Sequence, residues 1–380
     1  MTFRKNKVFT TIFNMIIEVI DFVLLRCKLN ILYYLKSIIL SRKAKVIFVI
    51  EGGNWVIDWV GKYITENLKK LKLIDAEISN PFLVRNKIVH FGSINCFISD
   101  NGIYNLNKSN KKIVTWYHID KNDQAFKFIP LLNKYIDLLH TSNIITKKEL
   151  IELGLNENKI VQIPLGVDLS KFKRYNKNKR IQLRKKLNLP IEKIIIGSFQ
   201  KDGVGWDDGL EPKYVKGPDI FCEVVRRLHK NFDIHIFLTG PARGYVKKKL
   251  KEYQIPFTHI FLDNYLDIVE CYNVLDLYII TSRAEGGPNA LLEGMATGVP
   301  LVTTNVGMAS ELINHGFNGF IAEIDDIDQL YKYSVELIKN KELREKFITS
   351  GFEIIKDYSW EKITKQYYLK LYRNLDKKIH

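Results

Sequence analysis

Cysteine is scarce in this chain of 380 residues, and its four cysteines stand far apart in the sequence. Cys27, Cys96, Cys222 and Cys271 form no C-x-x-C pair, which excludes a disulfide framework and a zinc motif of the usual spacing. The eight histidines likewise form no H-E-x-x-H or comparable cluster. We therefore expect no metal site, and the cysteine usage is typical of a protein from a reducing, cytoplasmic compartment.

The chain also lacks an uninterrupted apolar run of the ~20 residues that a membrane-spanning helix needs. Its most apolar segment, residues 8–40, contains charged residues and no small-residue cleavage site of a secretory signal. Because the polar residues Asn14, Glu18, Asp21 and Lys28 fall along one helical stripe, we predict an amphipathic N-terminal helical segment over residues 1–43. Residues 1–45 hold nine Lys/Arg against two acids, which favours attraction to anionic lipid. Two interpretations stay open. The segment lies on an anionic membrane surface, on the inner face of the cytoplasmic membrane, or it packs against the N-terminal domain.

The residues that are abundant predict a folded protein with an anionic ligand. Hydrophobic residues make up 46% of the chain and aromatic residues 12%, and 380 residues suffice for two domains. The formal net charge of +16 favours a nucleotide, a nucleic acid or an anionic membrane as partner. Since no segment combines aromatic and basic residues into a recognition motif, we expect no nucleic-acid partner.

Strand-like and helix-like segments alternate from residue 44 onward. Short apolar runs, including residues 95–100, are typical of strands, and helical segments follow several of them. This alternation predicts an α/β fold of two Rossmann-like, doubly wound domains that face a cleft. We place the first domain at residues 44–165 and the second at residues 166–358. A C-terminal helix, residues 359–380, is expected to pack back on the first domain.

The segment SRAEGGPNALLEGMATGVP (residues 282–300) contains a glycine turn between a predicted strand and a predicted helix. Pro288 suits the first helical position, since it has no N–H group to leave unsatisfied. A strand, a glycine turn and a helix N-terminus together favour phosphate binding. The carboxylates Glu285 and Glu293 would repel a phosphate, so we interpret them as acceptors for neutral hydroxyls that flank it, such as a ribose and a sugar. The alternative is that both are solvated surface acids.

The order of several motifs resembles the retaining nucleotide-sugar glycosyltransferases of family 4, also called glycosyl transferases group 1. Residues 285–321 resemble the donor-site core of that family, with its E-x7-E pattern on Glu285 and Glu293. IPLGVDLSKF (residues 163–172) resembles its interdomain segment. The resemblance covers roughly residues 44–380 and implies the GT-B fold, with an N-terminal acceptor domain and a C-terminal donor domain.

The resemblance implies a role for each matched residue of the donor site. Glu293 would bind the ribose hydroxyls, Glu285 would face the donor sugar, and Lys216 matches the lysine that binds the diphosphate. The family has an arginine soon after the preceding strand, and Lys201 is our candidate for that position. The backbone of the turn would contact the sugar hydroxyls through Gly286, Gly287, Pro288, Asn289 and Ala290.

Further matches lie in the N-terminal domain. His118 follows a predicted strand, where the family places a histidine near the reacting sugar; from the residue alone, a core histidine is the alternative. Gly52 and Gly53 match a glycine loop that approaches the donor or acceptor across the cleft. Trp55 would contact an acceptor sugar or pack in the core. The residues expected to act in catalysis are Glu285, His118 and Lys216.

The resemblance implies a transferase of the hexosyltransferase type. It would move a sugar from a UDP- or GDP-linked donor to a hydroxyl of a glycan or lipid-linked acceptor, in cell-surface polysaccharide biosynthesis. It would need no cofactor and no metal ion, because an ammonium group and helix N–H groups can stabilise the departing diphosphate. Three other classes stay open: a sugar-nucleotide epimerase, a phosphorylase of the same fold, and a non-catalytic nucleotide-sugar-binding protein.

Overall fold

The computed structural model describes residues 43–53, 56–82, 84–99, 102–119 and 124–379 of the chain. Almost all of the predicted segment 1–43 lies outside these ranges, and so does the predicted cleft residue Trp55. Within the ranges described, no helix is both long and apolar enough to cross a membrane.

The N-terminal domain is built on a six-stranded parallel sheet. Its strands are β1 (Val46–Val49), β2 (Ala76–Ile78), β3 (Ile88–Phe91), β6 (Lys111–Thr115), β7 (Leu138–Thr141) and β8 (Ile160–Gln162), and a separate antiparallel ribbon consists of β4 (Ile98–Ser99) and β5 (Gly102–Ile103). The sheet order is β2-β1-β3-β6-β7-β8. The sequences of these strands are nearly continuous runs of apolar residues, because helices cover both faces of such a sheet.

The helices of this domain differ from expectation at one place. They are α1 (Val56–Lys70), α2 (Ile94–Phe97), α3 (Ile129–Tyr135) and α4 (Ile144–Glu152). Residues 95–100, predicted as a strand, contain the end of α2 and only a two-residue strand. The Ser93 hydroxyl accepts a hydrogen bond from the backbone N–H of Cys96 at 3.3 Å, and this N-cap begins a helical turn where the apolar pattern alone indicated a strand.

The C-terminal domain repeats the architecture with a second six-stranded parallel sheet. Its strands are β9 (Ile194–Ser198), β10 (Ile234–Thr239), β11 (Phe257–Ile260), β12 (Leu277–Ile280), β13 (Leu301–Thr304) and β14 (Phe320–Ala322). The sheet order is β11-β10-β9-β12-β13-β14. The helices from residue 166 onward are α5 (Lys177–Lys186), α6 (Pro218–His229), α7 (Gly244–Glu252), α8 (Ile268–Asn273), α9 (Asn289–Thr297), α10 (Ala309–Leu312), α11 (Ile327–Lys339), α12 (Lys341–Ile355), α13 (Trp360–Tyr367) and α14 (Arg373–Asp376).

One hydrophobic cluster continues from the first domain into the second. It joins buried residues of β1 and α1, such as Phe48, to the interdomain segment at Leu165 and to Leu291 and Met308 of the second domain. The chain crosses between the domains twice, at residues 166–167 and again near Ser359, and the two crossings pair as a parallel bridge between Val167 and Ser359. The two domains therefore share one packed hydrophobic cluster.

The C-terminal segment packs on the first domain through α1. The rings of Tyr63 and Trp360 stack with their centroids 5.3 Å apart. The helix of this segment contains a π-helical turn, Tyr368–Tyr372, between α13 and α14. Residues five apart diverge on a regular α-helix, whereas the wider π turn lets the hydroxyls of Tyr367 and Tyr372 both reach the buried histidines of the first sheet.

These histidines form a directed chain of hydrogen bonds. The Tyr372 hydroxyl lies 2.7 Å from Nδ1 of His90, and His90 Nε2 lies 2.8 Å from Oγ1 of Thr115. Thr115 Oγ1 lies 3.1 Å from His140 Nδ1, and His140 Nε2 lies 2.9 Å from the Ile163 carbonyl oxygen. Since that carbonyl can only accept, each earlier group donates to the next one. Burial lowers the pKa of His140 to about 4 and lowers the pKa of His90 well below its ordinary value, so both rings are neutral.

Candidate active site

The predicted strand, glycine turn and helix are all present at residues 277–297. Strand β12 is fully buried, and α9 begins at Asn289; Pro288, predicted for the first helical position, is the N-cap residue directly before it. Gly298 ends the helix in the left-handed conformation, at φ 71°, where glycine carries no steric cost. The turn therefore sits at the carboxyl end of a buried strand and at the positive end of a helix, as an anion site requires.

Lys216 and Glu285 meet beside this turn. The Lys216 ammonium lies 2.6 Å from Oε1 of Glu285, and the Ser282 hydroxyl donates to the same oxygen at 2.9 Å. Gly217 makes the approach possible, because a Cβ at this position would lie 1.9 Å from the Thr281 carbonyl oxygen. Burial alone would raise the pKa of Glu285, but the Lys216 ammonium and the Ser282 hydroxyl outweigh it, so this pKa is lowered and the carboxyl is ionised.

His118 follows β6 and lies on the N-terminal side of the same site. It is exposed, so the alternative of a core histidine is wrong. A positive charge on its imidazole favours the ionised form of Glu285 and so helps to lower the pKa of that carboxyl, after the effects of Lys216 and Ser282. Of the three residues expected to act in catalysis, Lys216 and Glu285 are in direct contact.

Glu293 lies in a different environment from Glu285. Its side chain points from α9 into a buried position, where it is 4% exposed and accepts hydrogen bonds from the Tyr265 and Tyr272 hydroxyls. Burial raises the pKa of Glu293 to about 7 despite these donors. The alternative of a solvated surface acid is therefore wrong for Glu293. Tyr265 in turn packs against Trp59 of α1, with ring centroids 5.3 Å apart.

Lys201 is connected to the site by the preceding residue, Gln200. The Gln200 amide donates to the Lys216 carbonyl oxygen at 2.9 Å. The ammonium of Lys201 itself stands over the indole ring of Trp206, 3.8 Å from the ring centroid. Both candidate diphosphate cations thus come from the segment between β9 and α6.

The first domain contacts the glycine turn through residues that sequence reasoning missed. The side chains of Ser142 and Asn143, at the start of α4, both donate to the Gly286 carbonyl oxygen. A Cβ at Gly286 would lie 2.4 Å from the Cβ of Tyr117, so the close approach of the two domains requires glycine here. In the sequence, only the glycine motif around Gly286 indicated a close approach. No local pattern identified Ser142, Asn143 or Tyr117 as the residues that it contacts.

The remaining predicted positions lie around this centre. Gly52 and Gly53 are exposed, and the Gly52 N–H donates to Oδ1 of Asp58 at 3.2 Å. Ala290 is the second residue of α9, and Gly287 packs against Met308, whose sulfur would lie 2.8 Å from a Cβ at that glycine. Across the part of the chain that the structure describes, His, Cys, Asp and Glu form no group of three that could hold a metal ion.

Comparison with known proteins agrees with this geometry. Residues 211–353, which contain Lys216, Glu285 and Glu293, match the family described as glycosyl transferases group 1. An uncharacterised glycosyltransferase of Methanocaldococcus jannaschii is 31% identical over 152 residues, which are 39% of this chain and 42% of the relative. The UDP-Gal:alpha-D-GlcNAc-diphosphoundecaprenol alpha-1,3-galactosyltransferase of Escherichia coli is 30% identical over 220 residues, which are 54% of this chain and 53% of the relative. The chain thus spans about half the length of these two curated relatives.

A solved structure extends the likeness to both domains. The structure of Anabaena HepE in complex with UDP and glucose superposes with a TM-score of 0.69 at 15% sequence identity, over 86% of this chain and 99% of that one. Two facing parallel sheets with this superposition define the GT-B fold. The chain as a whole thus has the GT-B fold, and its C-terminal domain matches the glycosyl transferases group 1. The finer assignments, to family 4 and to a retaining mechanism, stay predictions.

Proposed function

We propose that this protein transfers a sugar from a nucleoside diphosphate sugar to a hydroxyl group of a glycan or lipid-linked acceptor, in cell-surface polysaccharide biosynthesis and with retention of the anomeric configuration. The observation that carries the proposal is the 2.6 Å contact between Lys216 and Glu285 at the glycine turn that leads into α9. A cation and a helix N-terminus stand there beside a carboxylate, which suits a ligand with both phosphate and hydroxyl groups.

Lys216 would serve the leaving group. As the bond between the anomeric carbon and a phosphate oxygen breaks, negative charge builds up on the diphosphate. The Lys216 ammonium and the N–H groups at the start of α9 can stabilise that charge without reorganisation and without a metal ion. When the diphosphate attracts the ammonium, Glu285 becomes free to accept hydrogen bonds from the sugar hydroxyls. Lys201 would be a second cation for the diphosphate.

Glu293 would bind the ribose. Its carboxylate already accepts hydrogen bonds from two phenol hydroxyls, so the site is built for neutral O–H donors. The two ribose hydroxyls would take the place of the Tyr265 hydroxyl. This division of roles agrees with the electrostatics, because the ionised Glu285 lies beside the cation and the weakly acidic Glu293 lies away from it.

The acceptor hydroxyl would attack from the face that the diphosphate leaves. Its oxygen bonds to the anomeric carbon, and its proton passes to the departing phosphate oxygen, so no carboxylate is needed as a base. His118 would contact the donor sugar from the N-terminal domain. The E. coli relative is named for a UDP-galactose donor and a lipid-linked acceptor, and the Anabaena structure holds UDP and glucose, which supports testing a UDP-linked donor first.

The first test is nucleotide binding, measured as thermal unfolding with UDP, GDP or ADP, each with and without EDTA. A ligand at ~100 times its Kd adds about 2.7 kcal/mol of stability. We expect one nucleoside diphosphate to raise the Tm and the rise to survive EDTA. Lys216→Ala should raise the Kd for the nucleoside diphosphate by about tenfold or more, because a charged hydrogen bond contributes about 1.5–3 kcal/mol. Lys213→Ala, which changes an exposed lysine three residues earlier, is the matched control.

The second test is turnover. Glu285→Gln should keep the fold and the nucleotide-induced rise in Tm but reduce sugar transfer by about 100-fold or more. Wild-type rates in this variant would show that Glu285 has been placed in the wrong role. Nucleotide binding without product from any sugar donor, across a panel of glycan acceptors, would instead indicate a non-catalytic binding protein.

A further inference from the structure

Residues 202–214 lie between the two candidate diphosphate lysines, Lys201 and Lys216, and none of the proposed roles involves them. This 202–214 insert folds back on itself, with an antiparallel bridge between Gly203 and Pro212. Because both of its ends are joined to residues of the candidate active site, the insert stands at the edge of that site.

The insert is anchored firmly to the second domain. Oδ2 of Asp202 lies 3.0 Å from Nη2 of Arg243, both side chains have 0% exposure, and Arg243 also donates to the Ser198 carbonyl oxygen at 2.7 Å. Gly209 has φ +67°, and a Cβ there would lie 2.5 Å from the Ala242 carbonyl oxygen. A buried ion pair and a close backbone contact hold the insert in one conformation, so its outer side chains are preorganised.

This anchored loop keeps large apolar side chains in solvent. The exposed fractions are 47% for Val204, 59% for Trp206, 65% for Leu210 and 58% for Tyr214. The indole of Trp206 stays this exposed even though the Lys201 ammonium lies 3.8 Å from its centroid. Exposed aromatic side chains on a fixed loop beside an active site are typical of a ligand-binding surface.

The charge of the insert indicates which ligand it suits. It contains four acidic residues and one lysine, whereas the whole chain carries a net charge of +16. Asp207, Asp208 and Glu211 are exposed beside Trp206 in the sequence. These carboxylates disfavour a phosphate, an anionic lipid or a nucleic acid. They favour a neutral ligand rich in hydroxyl groups, because ionised carboxylates form strong hydrogen bonds with O–H donors.

We infer that the 202–214 insert forms a subsite for an uncharged sugar unit of the acceptor. Trp206 stacks on the apolar C–H face of a pyranose ring, while Asp207, Asp208 and Glu211 accept hydrogen bonds from its hydroxyls. The identification of this sugar as part of the acceptor rests on the proposed transferase function, but sugar binding by the insert does not. Trp206 is here a specificity-determining residue that contacts the acceptor away from the reacting atoms.

The test measures sugar binding directly, by saturation-transfer difference NMR with the methyl glycosides of glucose, galactose, mannose and N-acetylglucosamine. At least one glycoside should bind the wild-type chain. Trp206→Ala should weaken that binding about tenfold or more, and Trp206→Phe, which keeps a stacking ring, should stay within about threefold. Phe317→Ala, which removes another exposed aromatic ring of the second domain, is the matched control and should bind as the wild type does.

Measuring nucleotide binding separates a failure of the sugar subsite from a failure of the proposed transferase function. Trp206→Ala should keep the Kd for the nucleoside diphosphate within twofold. A Trp206→Ala variant that binds glycosides normally would overturn the inference, and so would loss of nucleotide binding with unchanged glycoside binding. Trp206-dependent sedimentation with phosphatidylglycerol vesicles, without glycoside binding, would also overturn it in favour of a lipid surface. If the wild type binds a glycoside through Trp206 but no nucleotide, the proposed function fails while the sugar subsite stands.

Discussion

Replacing Glu293 by glutamine should stabilise the folded chain above pH 7 while it weakens nucleotide binding. The side chain is 4% exposed, and burial raises its pKa from the ordinary 4.5 to about 7. The folded chain therefore holds the Glu293 proton more tightly than the unfolded chain does. As a result, the contribution of Glu293 to the free energy of unfolding falls as the pH rises from 4.5 to 7, and it stays low above that range.

The size of this effect follows from the two pKa values. At pH 8 the loss of stability approaches about 3 kcal/mol, and at pH 5 it is only about 1 kcal/mol, because one pKa unit corresponds to about 1.4 kcal/mol. Glutamine cannot ionise, so Glu293→Gln removes this pH-dependent loss of stability. The variant should gain about 2 kcal/mol more at pH 8 than at pH 5, which for a chain of this size corresponds to about 3 °C in Tm.

The assay is calorimetric unfolding of the wild type, Glu293→Gln and the exposed control Glu152→Gln at both pH values. The quantity to compare is the difference between variants, because His90 and His140 act in the opposite direction. Burial lowers the pKa of both rings, so their contribution to stability is lost as the pH falls below 6.5. Equal Tm differences at pH 5 and pH 8 would refute the description of Glu293 as a desolvated acid. Nucleotide affinity at pH 8 should fall about tenfold, since a charged acceptor is lost.

Two further substitutions test contacts that link the domains. Tyr265→Phe removes the hydroxyl that competes for Glu293, so a nucleoside diphosphate should bind about 3–10-fold tighter by calorimetric titration; weaker binding would mean that the Tyr265 hydroxyl itself contacts the nucleotide. Tyr372→Phe leaves Nδ1 of the buried His90 without its donor, so urea denaturation should show a loss of about 1–3 kcal/mol with nucleotide affinity unchanged. Unchanged stability would contradict the directed chain of hydrogen bonds.

Local sequence patterns were sufficient for the strand, the glycine turn and the helix of the site. The apolar run before Ser282, the glycines after Glu285 and the helix signal from Asn289 are all short-range features, and the structure has them in the predicted order. The family resemblance implied that Lys216 and Glu285 belong to one donor site, but it did not indicate their direct contact.

Contacts between distant segments could not be predicted in this way. The donation from Ser142 and Asn143 to Gly286 joins residues more than a hundred positions apart, and no periodicity encodes it. The position of Tyr265 over Glu293 depends on how α1 meets the second domain. The π turn at Tyr368–Tyr372 is set by buried histidines of another element, while the local sequence favours a regular helix.

The return of the C-terminal segment to the first sheet has a consequence for synthesis of the chain on the ribosome. The last strand of that sheet is complete at Gln162, but His90 and His140 find their tyrosine partners only when Tyr367 and Tyr372 have been made. At about 5–20 residues per second, the nascent N-terminal domain waits roughly 10–40 s for these partners. During that interval His90 and His140 lack their tyrosine partners, and the apolar residues that Tyr367, Leu371 and Leu375 later cover stay available to chaperones.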